Sequence, residues 1–261
     1  MNNDCDLLVT STDRFLPEAM ITIGQLKRLG LAAQFDCHLL LGDANPAVDG
    51  FKVLRRQRPG TWSSELRDGL NQLNKPYVLL WLDDFPPLGL SGVDEIMALI
   101  GQFIARQGNY LRLNPTPSGH GPEVLAGTHE VMPGELYRTS TVYAVWRREV
   151  LLRVLDDSES AWQFEFAGAV RSDGHGGFMA SDRQHVDFVN LVIKGLIDPR
   201  AEARLRAAQV DLSGLVRPRM TAAQLRKLRF GELRSRVLKL LPWHLRSQVR
   251  YLFSTNPVTR R

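Results

Sequence analysis

Tyr77-Val-Leu-Leu-Trp-Leu-Asp83-Asp84-Phe85 is a continuous apolar run that ends abruptly in two adjacent carboxylates, an aromatic ring and then Pro86-Pro87. Six uncharged residues rich in Val, Leu and aromatics read as a strand buried on both faces of a parallel sheet. The carboxyl end of such a strand is where open α/β sheets bind ligands. Two carboxylates beside apolar neighbours need compensation. Two readings are open: a divalent cation, which takes hard oxygen ligands, or a turn capped by Asp84 with Asp83 paired to a nearby arginine.

Outward from this strand, short strands and helices alternate from residue 6 to residue 113. Residues 6–12, 35–41, 51–54, 77–82 and 110–113 read as strands. Residues 15–29, 63–73 and 91–107 carry helical spacing, the middle one with Ser63 or Ser64 as its cap. Such alternation predicts an open, mostly parallel sheet flanked by helices. Beyond Pro115, seven glycines and prolines up to Gly134 predict a long polar loop. Residues 137–145 then read as a strand, 147–155 as a helix, 160–169 as a short helix or turn, and 185–193 as a further strand-like segment. The stretch 171–181 is glycine-rich with little to bury.

At 261 residues, 44% hydrophobic and 23% charged, the composition is that of a globular chain with ample core material. Cys5 and Cys37 have no C-x-x-C spacing, so neither a zinc site nor a disulfide framework is indicated. The acidic start, Met1 to Asp6, lacks the basic region of a secretory signal, and no apolar run reaches the roughly 18 residues of a membrane span. The expected location is the cytoplasm. The net charge of +5 is unevenly placed: residues 217–261 hold 12 Lys/Arg against Glu232, so this end carries +11 and the remainder −6.

P-loop, Rossmann and nucleophile-elbow motifs are absent from the sequence. Thr10-Ser11-Thr12-Asp13, at the end of the first strand, offers three hydroxyls and a carboxylate to a nucleotide base and ribose, or else a helix cap by Thr12 or Asp13. Glu165, set between aromatics in Trp162-Gln-Phe-Glu165, has either the raised pKa and fixed orientation of a general base or a solvent-facing position on a surface turn. His175 and His185 are candidates for a third metal ligand or for structural roles.

Taken together, Trp62-Ser63 opening a helix, the strand ending in Asp83-Asp84-Phe85, Trp146-Arg147-Arg148, Ala161-Trp162-Gln-Phe-Glu165, Val189-Asn190 and Lys194-Gly195 resemble bacterial GT-A-type glycosyltransferases of surface-polysaccharide synthesis, over about residues 6–205. This chain has adjacent aspartates where that class often has Asp-x-Asp. The resemblance implies a nucleotide-sugar donor over the strand ends, in contact with Trp62 and with Asp83 near the ribose or metal. It implies Mg²⁺ or Mn²⁺ on Asp84 and Asp83, and Glu165 as the base that activates a glycan or lipid-linked acceptor, with inversion. Rival readings are a non-enzymatic nucleotide- or sugar-binding module and a metal-dependent phosphohydrolase.

The expected division is a catalytic domain over residues 1–205 and a basic amphipathic α-helical tail over 206–261. Leucines recur among arginines from 221 to 253, with Pro242-Trp243 breaking the tail into two helices. Three destinations are open for it: an anionic membrane surface, which would place the protein at the inner face of the cell membrane; packing on the body or in a homodimer; and nucleic acid, for which the body supplies no motif.

Overall fold

The computed structural model describes residues 4–116, 119–135 and 137–239, with side chains in the last helix described as far as Gly231. In chain order the first elements are β1 (Cys5–Thr10), α1 (Leu16–Arg28), β2 (Asp36–Leu41), β3 (Phe51–Arg55), α2 (Trp62–Asn71) and β4 (Tyr77–Leu82). There follow β5 (Pro87–Leu90), α3 (Val93–Ala105), β6 (Tyr110–Arg112), β7 (Glu123–Leu125), β8 (Thr128–Glu130) and β9 (Ala144–Arg147). Next come α4 (Arg148–Val154), α5 (Ala161–Arg171), β10 (Phe178–Ser181) and β11 (Val186–Phe188). The last elements are β12 (Val192–Ile193), β13 (Leu196–Ile197), α6 (Pro199–Ala207) and α7 (Ala222–Lys239).

Among the described residues, nine strands form one sheet in the order β3-β2-β1-β4-β9-β6-β10-β8-β7. β8 and β9 run against the other strands, so this is a mostly parallel α/β sheet. Strand β4 lies inside it and is buried on both faces, as its unbroken apolar run predicts. Tyr77, Leu79 and Trp81 pack on α1 and α3 through Ile23, Leu26, Ile100 and Phe103. Val78 and Leu80 pack on α2, α4 and α5 through Leu66, Leu151 and Phe164. Burying each such side chain contributes roughly 1.5–3 kcal/mol, so the position of the β4 end is fixed from both sides.

Several sequence expectations need correction. The long polar loop after Pro115 contains the hairpin β7–β8, turned at Ala126-Gly127 with Gly127 at φ 65°, and β8 pairs with β10 at the sheet. The glycine-rich stretch holds β10, four fully buried residues between β6 and β8. The strand expected from residue 137 begins only at Ala144, because Arg138, Ser140 and Thr141 turn their polar groups to other tasks. Arg138, itself buried, donates to the carbonyls of Val131, Ser172 and His175. Helix α2 is capped by Thr61, whose hydroxyl accepts from the Ser64 N–H at 3.2 Å, and not by Ser63 or Ser64.

Beyond residue 205 the chain returns to the body. Leu212 is buried with Ile21, Leu191 and Leu205 in a third apolar cluster. Arg217 pairs with Glu18 and stacks over Phe15, and Arg219 pairs with Glu202 at 2.6 Å. Helix α7 then leads into residues 240–261; Pro242-Trp243 and the second tail helix lie outside the described residues. No helix among the described residues is long and apolar enough to cross a membrane.

Candidate functional site

Parallel pairing sets Thr10 of β1 opposite Leu82 of β4, so the residues that follow each strand, Ser11 and Asp83, emerge side by side. The Ser11 hydroxyl donates to Asp83 Oδ2 at 2.6 Å, and the Thr22 hydroxyl on α1 donates to the Asp83 carbonyl. Antiparallel β9 brings Thr141 to the same end of the sheet, since Ala144 pairs with Leu80 and the residues before it continue past the end of β4. A cleft of about 880 Å³ opens here, a size suited to a small organic ligand.

Thr10, Ser11, Trp62, Asp83, Asp84 and Glu165 all line this cleft. Asp13 does not: its carboxylate accepts from the backbone N–H groups of Gly42, Asp43 and Ala44 at 3.0, 2.8 and 3.2 Å, and so ties the loop after β2 to the end of β1. Thr12 stands at the start of a short helical turn without a side-chain capping bond. His185 is absent from the cleft as well. It is buried with both ring nitrogens engaged, by Ser91 Oγ at 2.9 Å and Ser181 Oγ at 3.0 Å, and burial holds its pKa below the usual histidine value. His175 does not line the cleft either.

Burial raises the pKa of Asp83, against the lowering effect of the Ser11 hydrogen bond and with the Glu18 charge adding to the rise. Asp84 is raised well above the carboxylate range, first by burial and then by the Asp83 charge. Neither forms an ion pair among the described residues. Arg217 lowers both through space, but its guanidinium is engaged with Glu18. Two half-buried, mutually repelling carboxylates presenting hard oxygens fit a divalent cation of the Mg²⁺ kind. Among the described residues no group of three or more His, Cys, Asp or Glu is placed to hold a metal ion. A cation on Asp83 and Asp84 would therefore draw further ligands from a bound phosphate and water, as Mg²⁺ sites commonly do.

Glu165 lies on α5, one turn beyond a capping box in which Ser160 and Gln163 satisfy each other's backbone N–H groups. The helix turns Phe164 fully into the core, at 5.6 Å from Trp62, and leaves Trp162 72% exposed at the cleft. Glu165 Oε1 accepts from Thr141 N and Thr141 Oγ1, each at 3.0 Å, and from Ser140 Oγ at 3.3 Å. Among the described residues no hydrogen bond reaches its Oε2. The carboxylate is thus held on a helix by one oxygen, half-buried and not on a surface turn.

Sequence reasoning missed other residues of the cleft and its floor. Arg56, just after β3, pairs with Glu65 at 2.6 Å, and both line the cleft. Glu18 is 1% exposed, with Oε1 on Arg217 and, among the described residues, no hydrogen-bond partner for Oε2. These pairs join residues 9 and 199 positions apart, and nothing local to either partner signals the contact.

No family model matches the chain, and no curated protein matches it. Among solved structures, the S. aureus TarS 1–349 chain in complex with UDP-GlcNAc is 11% identical over 57% of this chain and 46% of its own, with a TM-score of 0.41. A second TarS 1–349 structure is 10% identical over 68% of this chain and 60% of its own, with a TM-score of 0.46. A UDP-glucose pyrophosphorylase complexed with UDP-glucose is 9% identical over 72% and 92%, with a TM-score of 0.47. This chain spans less than two thirds of both TarS chains. Likeness at this distance does not carry a reaction with it, and the cleft's own residues are the basis for function.

Proposed function

We propose that the chain is a nucleotide-sugar-dependent glycosyltransferase. The observation that carries this reading is the placement of Asp83-Asp84 and Glu165 in one cleft at the carboxyl ends of the strands. The donor's base and ribose lie over Thr10, Ser11 and Trp62, and its diphosphate lies toward the aspartates. Asp83 and Asp84 would hold Mg²⁺ or Mn²⁺, which supplies positive charge to the diphosphate as it departs. Ser11 keeps the Asp83 carboxylate in place. Asp13 stands outside the cleft and fixes the 42–44 loop, whose Asp43 pairs with the cleft-lining Arg56 at 3.4 Å.

Glu165 takes the proton of the acceptor hydroxyl as that oxygen bonds to the anomeric carbon. The bond from that carbon to the phosphate oxygen breaks, and its electron pair leaves on the nucleoside diphosphate. Thr141 and Ser140 hold one Glu165 oxygen, which leaves the other for the proton. A single displacement with one base inverts the anomeric centre.

The acceptor in this reading is a glycan or lipid-linked sugar of a surface polysaccharide. Residues 1–205 act as the catalytic unit, and the basic tail of residues 206–261 holds it peripherally at the cytoplasmic membrane face. Leu228 of α7 lines the cleft, while Phe230 is 72% exposed beside Arg226, Lys227 and Arg229, which supports a tail that brings the cleft mouth to a lipid surface. The test is a turnover screen across uridine and guanosine diphosphate sugars with Mn²⁺ and glycan acceptors, reading nucleoside diphosphate release and product configuration. Inverted glycoside is the expected product. Phosphate released from simple esters, with no sugar transferred, would replace this reading with a phosphohydrolase.

A further inference from the structure

The β12–β13 hairpin turns in two residues, because Val192 pairs with Ile197 and Ile193 with Leu196. Both turn residues have positive φ, Lys194 at 53° and Gly195 at 78°. This mirror-image turn suits the twist of the strands, and Asn, Asp or Gly ordinarily fills its first position because a longer side chain meets steric resistance there. Lys194 accepts that resistance, and it lines the cleft with its side chain exposed. Among the described residues it has no ion-pair partner.

The turn is anchored to the paired aspartates. The Leu191 N–H donates to the Asp84 carbonyl at 2.8 Å, and the Val189 N–H donates to the Pro86 carbonyl at 3.3 Å. On the hairpin's other side, Ile197 donates to the Pro218 carbonyl and accepts from the Met220 N–H, each at 3.0 Å. Asn190, between the anchors and the turn, also lines the cleft, and among the described residues its buried Oδ1 has no hydrogen-bond partner. A strained, fixed turn thus presents an unpaired ammonium to the cleft. Strain of this kind persists where the surroundings over-determine it, commonly at ligand sites.

We propose that Lys194 binds the diphosphate of the donor, an inference that rests on the nucleotide-sugar reading of the cleft. Its ammonium is a point charge for the phosphoryl oxygens. As the bond to the anomeric carbon breaks, the electron pair passes to a phosphate oxygen and the attraction strengthens, so the residue acts more on the transition state than on the bound donor.

Lys194→Gly tests this because it removes the ammonium and relieves the backbone at once. The melting temperature of the full chain should hold or rise. Affinity for uridine or guanosine diphosphate with Mn²⁺, read by titration calorimetry, should weaken about tenfold, and turnover should fall about 10²–10³-fold, the usual cost of removing one transition-state donor. Lys194→Arg, which keeps both the charge and the strain, should recover part of the loss. Binding and turnover by Lys194→Gly within about twofold of wild type would overturn the assignment and leave the donor cleft standing. A wild-type chain that binds no nucleoside diphosphate would overturn both.

Discussion

Replacing Glu165 by glutamine separates the geometry of the cleft from its chemistry. The amide oxygen of glutamine can still accept from Thr141 N, Thr141 Oγ1 and Ser140 Oγ, so α5 keeps its register against the residues before β9. Only the proton-accepting function is lost. General-base catalysis is worth about 10²–10⁴-fold, which corresponds to about 3–5 kcal/mol of barrier. Glu165→Gln should therefore lower kcat by that factor, with the donor Kd and the melting temperature unchanged. The assay is nucleoside diphosphate release with acceptor present, paired with calorimetric titration of the donor. Turnover within about fivefold of wild type, or a donor affinity that falls in step with kcat, would refute the base assignment.

Three further outcomes follow from the same structure. Burial raises both Asp83 and Asp84, so the folded chain keeps protons that the unfolded chain releases above about pH 4; this pair therefore costs more stability as pH rises. Asp84→Asn should raise the melting temperature by a few degrees at pH 8 and by less at pH 5, and should abolish Mn²⁺-dependent donor binding. Phe164→Ala removes a fully buried ring packed against Trp62 and Trp146 and should cost about 3–5 kcal/mol, whereas Trp162→Ala, 72% exposed, should melt within about a degree of wild type. A chain ending at Met220 keeps the Arg217–Glu18 and Arg219–Glu202 pairs and should stay folded, yet lose salt-sensitive sedimentation with anionic vesicles; equal sedimentation of both chains would remove the membrane role.

The central half of the sheet is legible in the sequence because its strands are long and buried. β4 has six apolar residues and can be nothing but interior, and the carboxylates that end it mark the cleft. β10 could not be read the same way. Phe178-Met-Ala-Ser181 is four residues flanked by glycines, and its burial comes from parallel pairing with β6, 68 positions earlier at Tyr110 and Phe178. The three-residue strands β7 and β8 are too short to show alternation, so glycines and prolines dominate that reading.

At the site, Asp83, Asp84 and Glu165 stand out because a charge interrupts an apolar or aromatic run. Asp13 was visible as a polar residue at a strand end, but its attachment to the 42–44 loop depends on how two strand ends meet. Lys194 gives no sign of its backbone strain, because a Lys-Gly pair becomes a mirror-image turn only once Val192 and Ile197 are paired. Glu18 and Arg217 are ordinary surface residues by sequence and form a buried pair only in the fold.

The most direct measurement is titration of the full chain with uridine and guanosine diphosphate sugars by calorimetry, with and without Mn²⁺, alongside Asp84→Asn. Saturable binding of one donor per chain, strengthened by Mn²⁺ and lost in the variant, is the predicted result. Absence of binding by every nucleotide sugar under both conditions, or tight binding that neither Mn²⁺ nor Asp84→Asn alters, would contradict a donor site built on the paired aspartates.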